Sequence, residues 1–155
     1  MRTSGWILTL SAHLLALAAA SAAAAAMPGM NMGQPEWAGF GEPGRTADRT
    51  IAITAIDSRF KPDNVVVRKG ETIRFVVTNR GKLAHEFVIG DAAFEAQHRR
   101  EMIQMPDMKM DEANELSLQP GQTKTLTWRF TRAGELQFAC DLPGHAGMVG
   151  HLHVR

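Results

Sequence analysis

Near the end of the chain, Cys140-Asp-Leu-Pro-Gly-His145-Ala-Gly-Met148 gathers a thiol, an imidazole and a thioether within nine residues. Thiolate and thioether ligands together favour copper, Cu(I) in particular, and imidazole serves both oxidation states. Two His and one Cys in a plane, with a weak axial Met, make a blue-copper site. A second His must therefore come from elsewhere. His85 fits, because it begins a predicted strand after the turn Asn79-Arg-Gly81, about fifty residues before Cys140. That separation lets a neighbouring strand carry it to the Cys140 loop. A lone Cys on an apolar strand face is ordinarily a small buried hydrophobe. The His and Met beside it, and the matching upstream His, make metal ligation the better reading.

Other metal-binding types are weaker candidates. His98 falls in a predicted helix, where it is expected to face solvent or flank the core. In His151-Leu-His153, alternation turns Leu152 and Val154 inward and both His outward. One such pair is also too few for a trinuclear copper cluster. Met102, Met105, Met108 and Met110 occur within nine residues, and Met27, Met30 and Met32 lie further upstream. Phe94, His98, Met102 and Met105 are expected along one helix face, where the two Met would pack. Met108 and Met110, with Met30 and Met32, have no such account and form a candidate auxiliary Cu(I) site, since neutral thioethers favour Cu(I).

The elements that must position these residues are mostly strands. Thr50–Ile56, Asn64–Arg68, Thr72–Thr78, His85–Ile89, Leu116–Leu118, Thr123–Phe130, Leu136–Cys140 and Val149–Val154 are short apolar or alternating runs separated by turn residues. In Thr123–Phe130, for example, Leu126, Trp128 and Phe130 point inward while Thr125, Thr127 and Arg129 point outward. Such a series predicts an all-β sandwich or barrel. The stretch 91–104 reads instead as a helix with Asp91 as N-cap, ended by Pro106. Residues 1–26 resemble a secretory signal peptide: a basic start at Arg2, an apolar run from Trp6, and small residues up to Ala26. Residues 27–48, rich in Gly, Pro and Met, are expected to be a flexible or loosely docked lead-in to a domain over 49–155.

Length and composition narrow the function. A chain of 155 residues holds one ordinary domain. With 17 basic and 16 acidic residues, a formal charge of +1 argues against a nucleic-acid partner. The single Cys excludes an internal disulfide. No long apolar run beyond the N-terminus predicts a membrane span in the mature chain. Export would place the chain in the periplasm, where an unpaired Cys needs a reason to be kept.

The run Asn79-x-Gly81-x-x-x-His85, the C-x4-H-x2-M loop and the following Met148-x-Gly150 resemble the cupredoxins, the superfamily of plastocyanin and azurin. The resemblance covers roughly 50–155. It implies a Greek-key β-sandwich of seven to eight strands, here with one short helical insert, holding one type 1 copper for one-electron chemistry. His85, Cys140, His145 and Met148 would be its ligands, and the exposed edge of His145 the electron exit. More narrowly, His85-Glu-Phe with a Met-bearing insert is similar to periplasmic cupredoxins associated with copper tolerance. Two departures bear on the redox potential. Only two residues separate His145 from Met148, and Glu86 stands where plastocyanin-like proteins often have Asn.

Copper tolerance is accordingly the expected role, with an unidentified periplasmic redox partner. The alternative is a dedicated electron shuttle between respiratory proteins. An enzyme is not expected, because nitrite reductases and oxidases need a second copper centre, for which the chain is too short and too poor in His. A two-copper electron-transfer centre needs two Cys.

Overall fold

A computed structural model of the chain describes residues 36–105 and 112–155. Two five-stranded sheets face each other. The first runs β1 (Gly41–Pro43), β8 (Thr123–Phe130), β5 (Thr72–Asn79), β2 (Arg49–Ile56) and β3 (Arg59–Lys61) in spatial order. The second runs β4 (Asn64–Val67), β10 (Val149–Val154), β9 (Gly134–Ala139), β6 (His85–Gly90) and β7 (Glu115–Leu118). The chain passes repeatedly between the layers, in the Greek-key manner expected. Alternation dictates what fills the gap. Ile73, Phe75 and Val77 of β5, and Leu126, Trp128 and Phe130 of β8, are buried on one face while Arg74 and Arg129 are exposed on the other. Tilted aromatic rings fill the centre: Phe87 lies 5.2 Å from Phe138 and 5.4 Å from Phe75, centroid to centroid.

The ten strands among the described residues exceed the seven or eight expected. The additional ones, β1 and β3, have three residues each, too few for a two-residue period to declare itself. β1 also changes the reading of the lead-in. Gly41–Pro43 pair with Trp128–Phe130 of β8, and Phe40 is buried in the core. The second half of 27–48 is thus built into the sandwich, because Trp37 and Phe40 supply apolar surface that a loose segment would leave in water.

The helix forms where expected, as α1 (Ala92–Gln104), with the Asp91 carboxylate accepting from the N–H groups of Ala93 and Phe94. Its buried residues are Glu95, His98 and Met102. His98 is therefore buried, and Met105 leaves the predicted face: it is the C-cap residue and is exposed. Among the described residues no helix is long and apolar enough to cross a membrane.

Strand pairing places the ligand candidates. β6 and β10 both run antiparallel to β9, with Val88 and Val149 each opposite Ala139. The start of β6, the end of β9 and the start of β10 therefore meet at one end of the sheet, carrying His85, Cys140 and Met148 there. In the first sheet β2 and β5 run parallel, with Ala55 opposite Asn79. The turn after β2 and the loop after β5 consequently lie side by side at that same end.

Candidate metal centre

At this end of the sandwich the four predicted ligands are all buried: His85, Cys140, His145 and Met148. Cys140 Sγ lies 3.9 Å from His85 Nδ1. The His85 and His145 rings face each other edge-on, with centroids 4.8 Å apart. The Met148 carbonyl accepts the Cys140 N–H at 3.0 Å, which ties the two ends of the loop together. Within the loop, His145 N–H donates to Leu142 and Met148 N–H to His145, each at 3.0 Å. Both loop ligands follow a glycine in the left-handed region, Gly144 at φ 92° and Gly147 at φ 87°. A side chain there would strain the turn that aims the next residue.

The sulfur is held from the backbone. Glu86 N–H donates to Cys140 Sγ at 3.3 Å. Burial pushes the thiol up to about 11, partly opposed by the N–H groups of Glu86 and Leu142. A thiol of that kind keeps its proton at neutral pH until a cation displaces it. His85 is held below the ordinary histidine range by burial, with Asp57 opposing and His145 assisting, so its imidazole is neutral, the form that binds metals.

His85 is aimed by residues the sequence did not reveal. Asp57 Oδ1 lies 3.2 Å from His85 Nε2. The same carboxylate accepts the N–H groups of Lys82 at 3.0 Å and Leu83 at 3.3 Å. Those bonds, that of Lys82 foremost, hold Asp57 below the usual carboxylate range. Asp57 occupies a two-residue turn between β2 and β3 whose second member, Ser58, has φ 75°. Asn79 fastens the loop from within: its amide donates to the carbonyls of Leu83 and Leu118, and its oxygen accepts Gly81 N–H. Gly81 is required by close approach. A Cβ there would lie 2.2 Å from Asp57 Oδ1 and 2.8 Å from His85 Nε2. The turn at 57 and the Asn79–Gly81 signal are both visible in the sequence, but nothing in their spacing says that they touch.

The donor set fits a soft or borderline metal ion. Both ring nitrogens of His145 are buried without a hydrogen-bond partner, a costly arrangement for a polar group that a metal ion would relieve. Nδ1 of His85 faces the sulfur while its other nitrogen is engaged by a carboxylate, the usual support of a ligating His. Among the described residues, no group of three or more His, Cys, Asp and Glu side chains closes into a ready-made cage. The case rests on the mixed set of imidazole, thiol and thioether.

The remaining candidates do not join this group. His151 is exposed, and His153 is half-buried and paired with Glu135. Of the two expectations for His98, it does not face solvent but packs against the sandwich, its Nε2 3.9 Å from Glu86 Oε2. Met30, Met32, Met108 and Met110 lie outside the described residues, as does the predicted leader.

Comparison with known proteins agrees with this architecture. The chain is 40% identical over 149 residues to the copper-resistant cuproprotein CopI of Pseudomonas aeruginosa, covering 75% of this chain and 82% of that protein. It is 43% identical over 121 residues to the copper-resistant cuproprotein CopI of Rubrivivax gelatinosus, covering 75% and 73%. In structure it resembles auracyanin B, with a TM-score of 0.61 at 23% identity over 72% of this chain and 92% of the other. It also resembles dithionite-reduced auracyanin from Roseiflexus castenholzii, with a TM-score of 0.60 at 25% identity over 71% and 99%. Residues 8–154 match the model of the cupredoxin-like domain, and with two sheets converging on a Cys-His-Met loop the chain belongs to the cupredoxin-like family.

Proposed function

We propose that this chain is a copper protein with one type 1 site at His85, Cys140, His145 and Met148, serving copper tolerance in the periplasm as a binder and one-electron carrier rather than an enzyme. The observation that carries the reading is the meeting of Cys140 Sγ and His85 Nδ1 at 3.9 Å beside a buried imidazole, His145, whose nitrogens have no other partner. Copper bound there supplies a Cu(I)/Cu(II) couple. The protein's part is to exclude water with a buried ligand set, to orient His85 through Asp57, and to fix the sulfur through Glu86 N–H. Copper tolerance is supported by the 40% and 43% identity to copper-resistant cuproproteins. Export by the leader over 1–26, and a redox partner in the same compartment, belong to the same proposal. The auxiliary Cu(I) role of Met30, Met32, Met108 and Met110 rests on their chemistry alone.

Absorption and electron spin resonance spectra of the copper-loaded protein test the site. An intense visible thiolate-to-copper band is expected, and Cys140→Ser should abolish it. A band that survives the substitution overturns the assignment. Deletion of the gene should make cells copper-sensitive. Loss of respiration without copper sensitivity would select the electron-shuttle reading. Changing Met30, Met32, Met108 and Met110 together to Leu should leave the blue site and lower the Cu(I) stoichiometry of the reduced protein to one; an equal stoichiometry removes the auxiliary site.

A further inference from the structure

The face that α1 turns to the sheets is unusual for a helix packed on a sandwich. An ordinary surface helix buries an apolar stripe, yet two of the three buried residues here are Glu95 and His98. Burying such groups is costly unless they are paired. Glu95 has no hydrogen-bond partner for either carboxylate oxygen, and the acidic groups that face His98 and Arg99 lie next to the candidate copper ligands. His98 Nε2 is 3.9 Å from Glu86 Oε2, with both side chains buried. The neighbouring Arg99 donates from Nε to Asp141 Oδ1 at 2.8 Å, and the Asp141 side chain is buried. Glu86 directly follows His85, and Asp141 directly follows Cys140. Two consecutive helix residues thus reach the two positions that follow two ligands, Arg99 through a hydrogen bond and His98 through a buried contact with no hydrogen bond.

These positions are also where the sulfur is held. Glu86 offers its N–H to Cys140 Sγ at 3.3 Å, so the residue whose side chain faces His98 is the one whose peptide donates to the thiol. Asp141 continues the backbone from Cys140 into the ligand loop, and Arg99 restrains it from the other side. Hydrogen bonds to a copper thiolate, and the partners that orient ligands, are levers on a copper site's potential and affinity.

Resting on the reading of this end of the sandwich as a copper centre, we propose that α1 is a clamp on that centre: His98 and Arg99 are positioning residues that fix Glu86 and Asp141, and so set the reduction potential of the copper. The direction follows from charge and hydrogen bonding. A firm N–H donor and a nearby cation both favour the more electron-rich state, Cu(I). Releasing either grip should lower the potential. Burial opposes a charged His98, but Glu86, with Glu115 and Asp141, outweighs it and raises its pKa.

The test is a redox titration of the copper-loaded full chain, with absorption and electron spin resonance spectra, for Arg99→Leu, Arg99→Lys, His98→Leu and Arg100→Leu. Arg100 is exposed on the same helix, and its replacement removes the same charge as Arg99→Leu without touching Asp141. Arg99→Leu and His98→Leu should keep one copper per chain, lower the potential and shift the thiolate band. A tenfold change in the ratio of Cu(II) to Cu(I) affinity would read as about 59 mV for this one-electron couple. Arg99→Lys should recover part of the shift, and Arg100→Leu should match the wild type. If His98→Leu does not fold, Arg99→Leu, whose side chain is 45% exposed, decides the matter. Wild-type potential and spectrum in Arg99→Leu overturn the clamp, and so does an equal shift in Arg100→Leu, which would make charge alone the cause. A wild-type protein without a blue band fails the copper reading itself, a separate result.

Discussion

Asp57 Oδ1 lies 3.2 Å from His85 Nε2, and this contact decides which imidazole nitrogen is free for a metal. With Nε2 engaged by the carboxylate, Nδ1 is left facing Cys140 Sγ at 3.9 Å. The first sheet supplies Asp57 and the second supplies His85, so the two layers meet through this bond as well as through their apolar core.

Asp57→Ala should therefore weaken copper binding without unfolding the protein, because the side chain is partly exposed and its loss leaves no cavity in the core. Removing such a support typically costs roughly 10–100-fold in metal affinity. Asp57→Asn, whose amide oxygen still accepts from Nε2–H, should recover much of the loss. A competition titration with a copper chelator measures both. An unchanged affinity in Asp57→Ala would show that the Cys140 loop alone fixes the site.

Met148 is expected to act as a weak ligand. It is buried, and its carbonyl accepts the Cys140 N–H, but two imidazoles and a thiolate are the stronger donors. Met148→Leu, close in volume, should retain one copper and raise the reduction potential, since a thioether donor to the metal is lost. Quantifying metal after desalting and measuring the potential check this. Complete loss of copper would make Met148 a primary ligand, a result that the two-residue spacer from His145 would then explain.

Glu95 gives a pH dependence with a definite sign. Burial, and next the charge of Asp141, push its pKa up to about 9 from an ordinary 4.5, with Asp91 adding to the rise and Arg99 opposing it. The folded chain thus holds a proton on Glu95 that the unfolded chain releases between about pH 4.5 and 9. Folding stability from this group is complete below that window and is lost as pH rises through it. Glu95→Gln needs no proton, so its stability relative to wild type should improve steadily from pH 5 to pH 8.5 in denaturant titrations, by close to one linked proton, or about 1.4 kcal/mol per pH unit at most. Parallel profiles for the two proteins would contradict the assignment.

What the sequence disclosed followed period and chemical type. Apolar or alternating runs located β2 and β4 to β10, and the soft donors around Cys140 with the upstream His85 pointed to a candidate centre. Supporting contacts escaped because they have no local signature. Asp57 is 28 residues from His85, and Arg99 is 42 from Asp141; only the folded sheets make them neighbours. For His98 the helix pattern leaves open whether it faces solvent or flanks the core. The carboxylate that faces it, Glu86, comes from β6, and a helix pattern cannot announce a neighbour on another strand. β1 escaped for a different reason. Gly41-Glu-Pro43 is composed like a loop, and Pro within a run demotes a strand to an edge, which is where β1 lies, beside β8.

That edge strand carries the last prediction, which concerns how far the domain extends toward the N-terminus. Phe40 is 2% exposed. Its ring meets Phe94 of α1 edge-on at 5.8 Å and lies 6.1 Å from Trp128 of β8. Trp37 packs edge-on against Trp128 at 5.3 Å and donates its indole N–H to Glu112 at 3.0 Å. This segment therefore closes the sandwich where β8 would otherwise be an open edge, and it braces the helix that grips the candidate centre. Truncating a buried Phe to Ala costs about 3–5 kcal/mol through lost burial and the cavity left behind. Phe40→Ala should lose stability on that scale in urea unfolding, whereas a residue of a loose lead-in would change it by less than about 0.5 kcal/mol. The smaller value would place the start of the domain near residue 49. The larger one makes the segment from Trp37 to Pro43 part of the fold, with Phe40 its anchor.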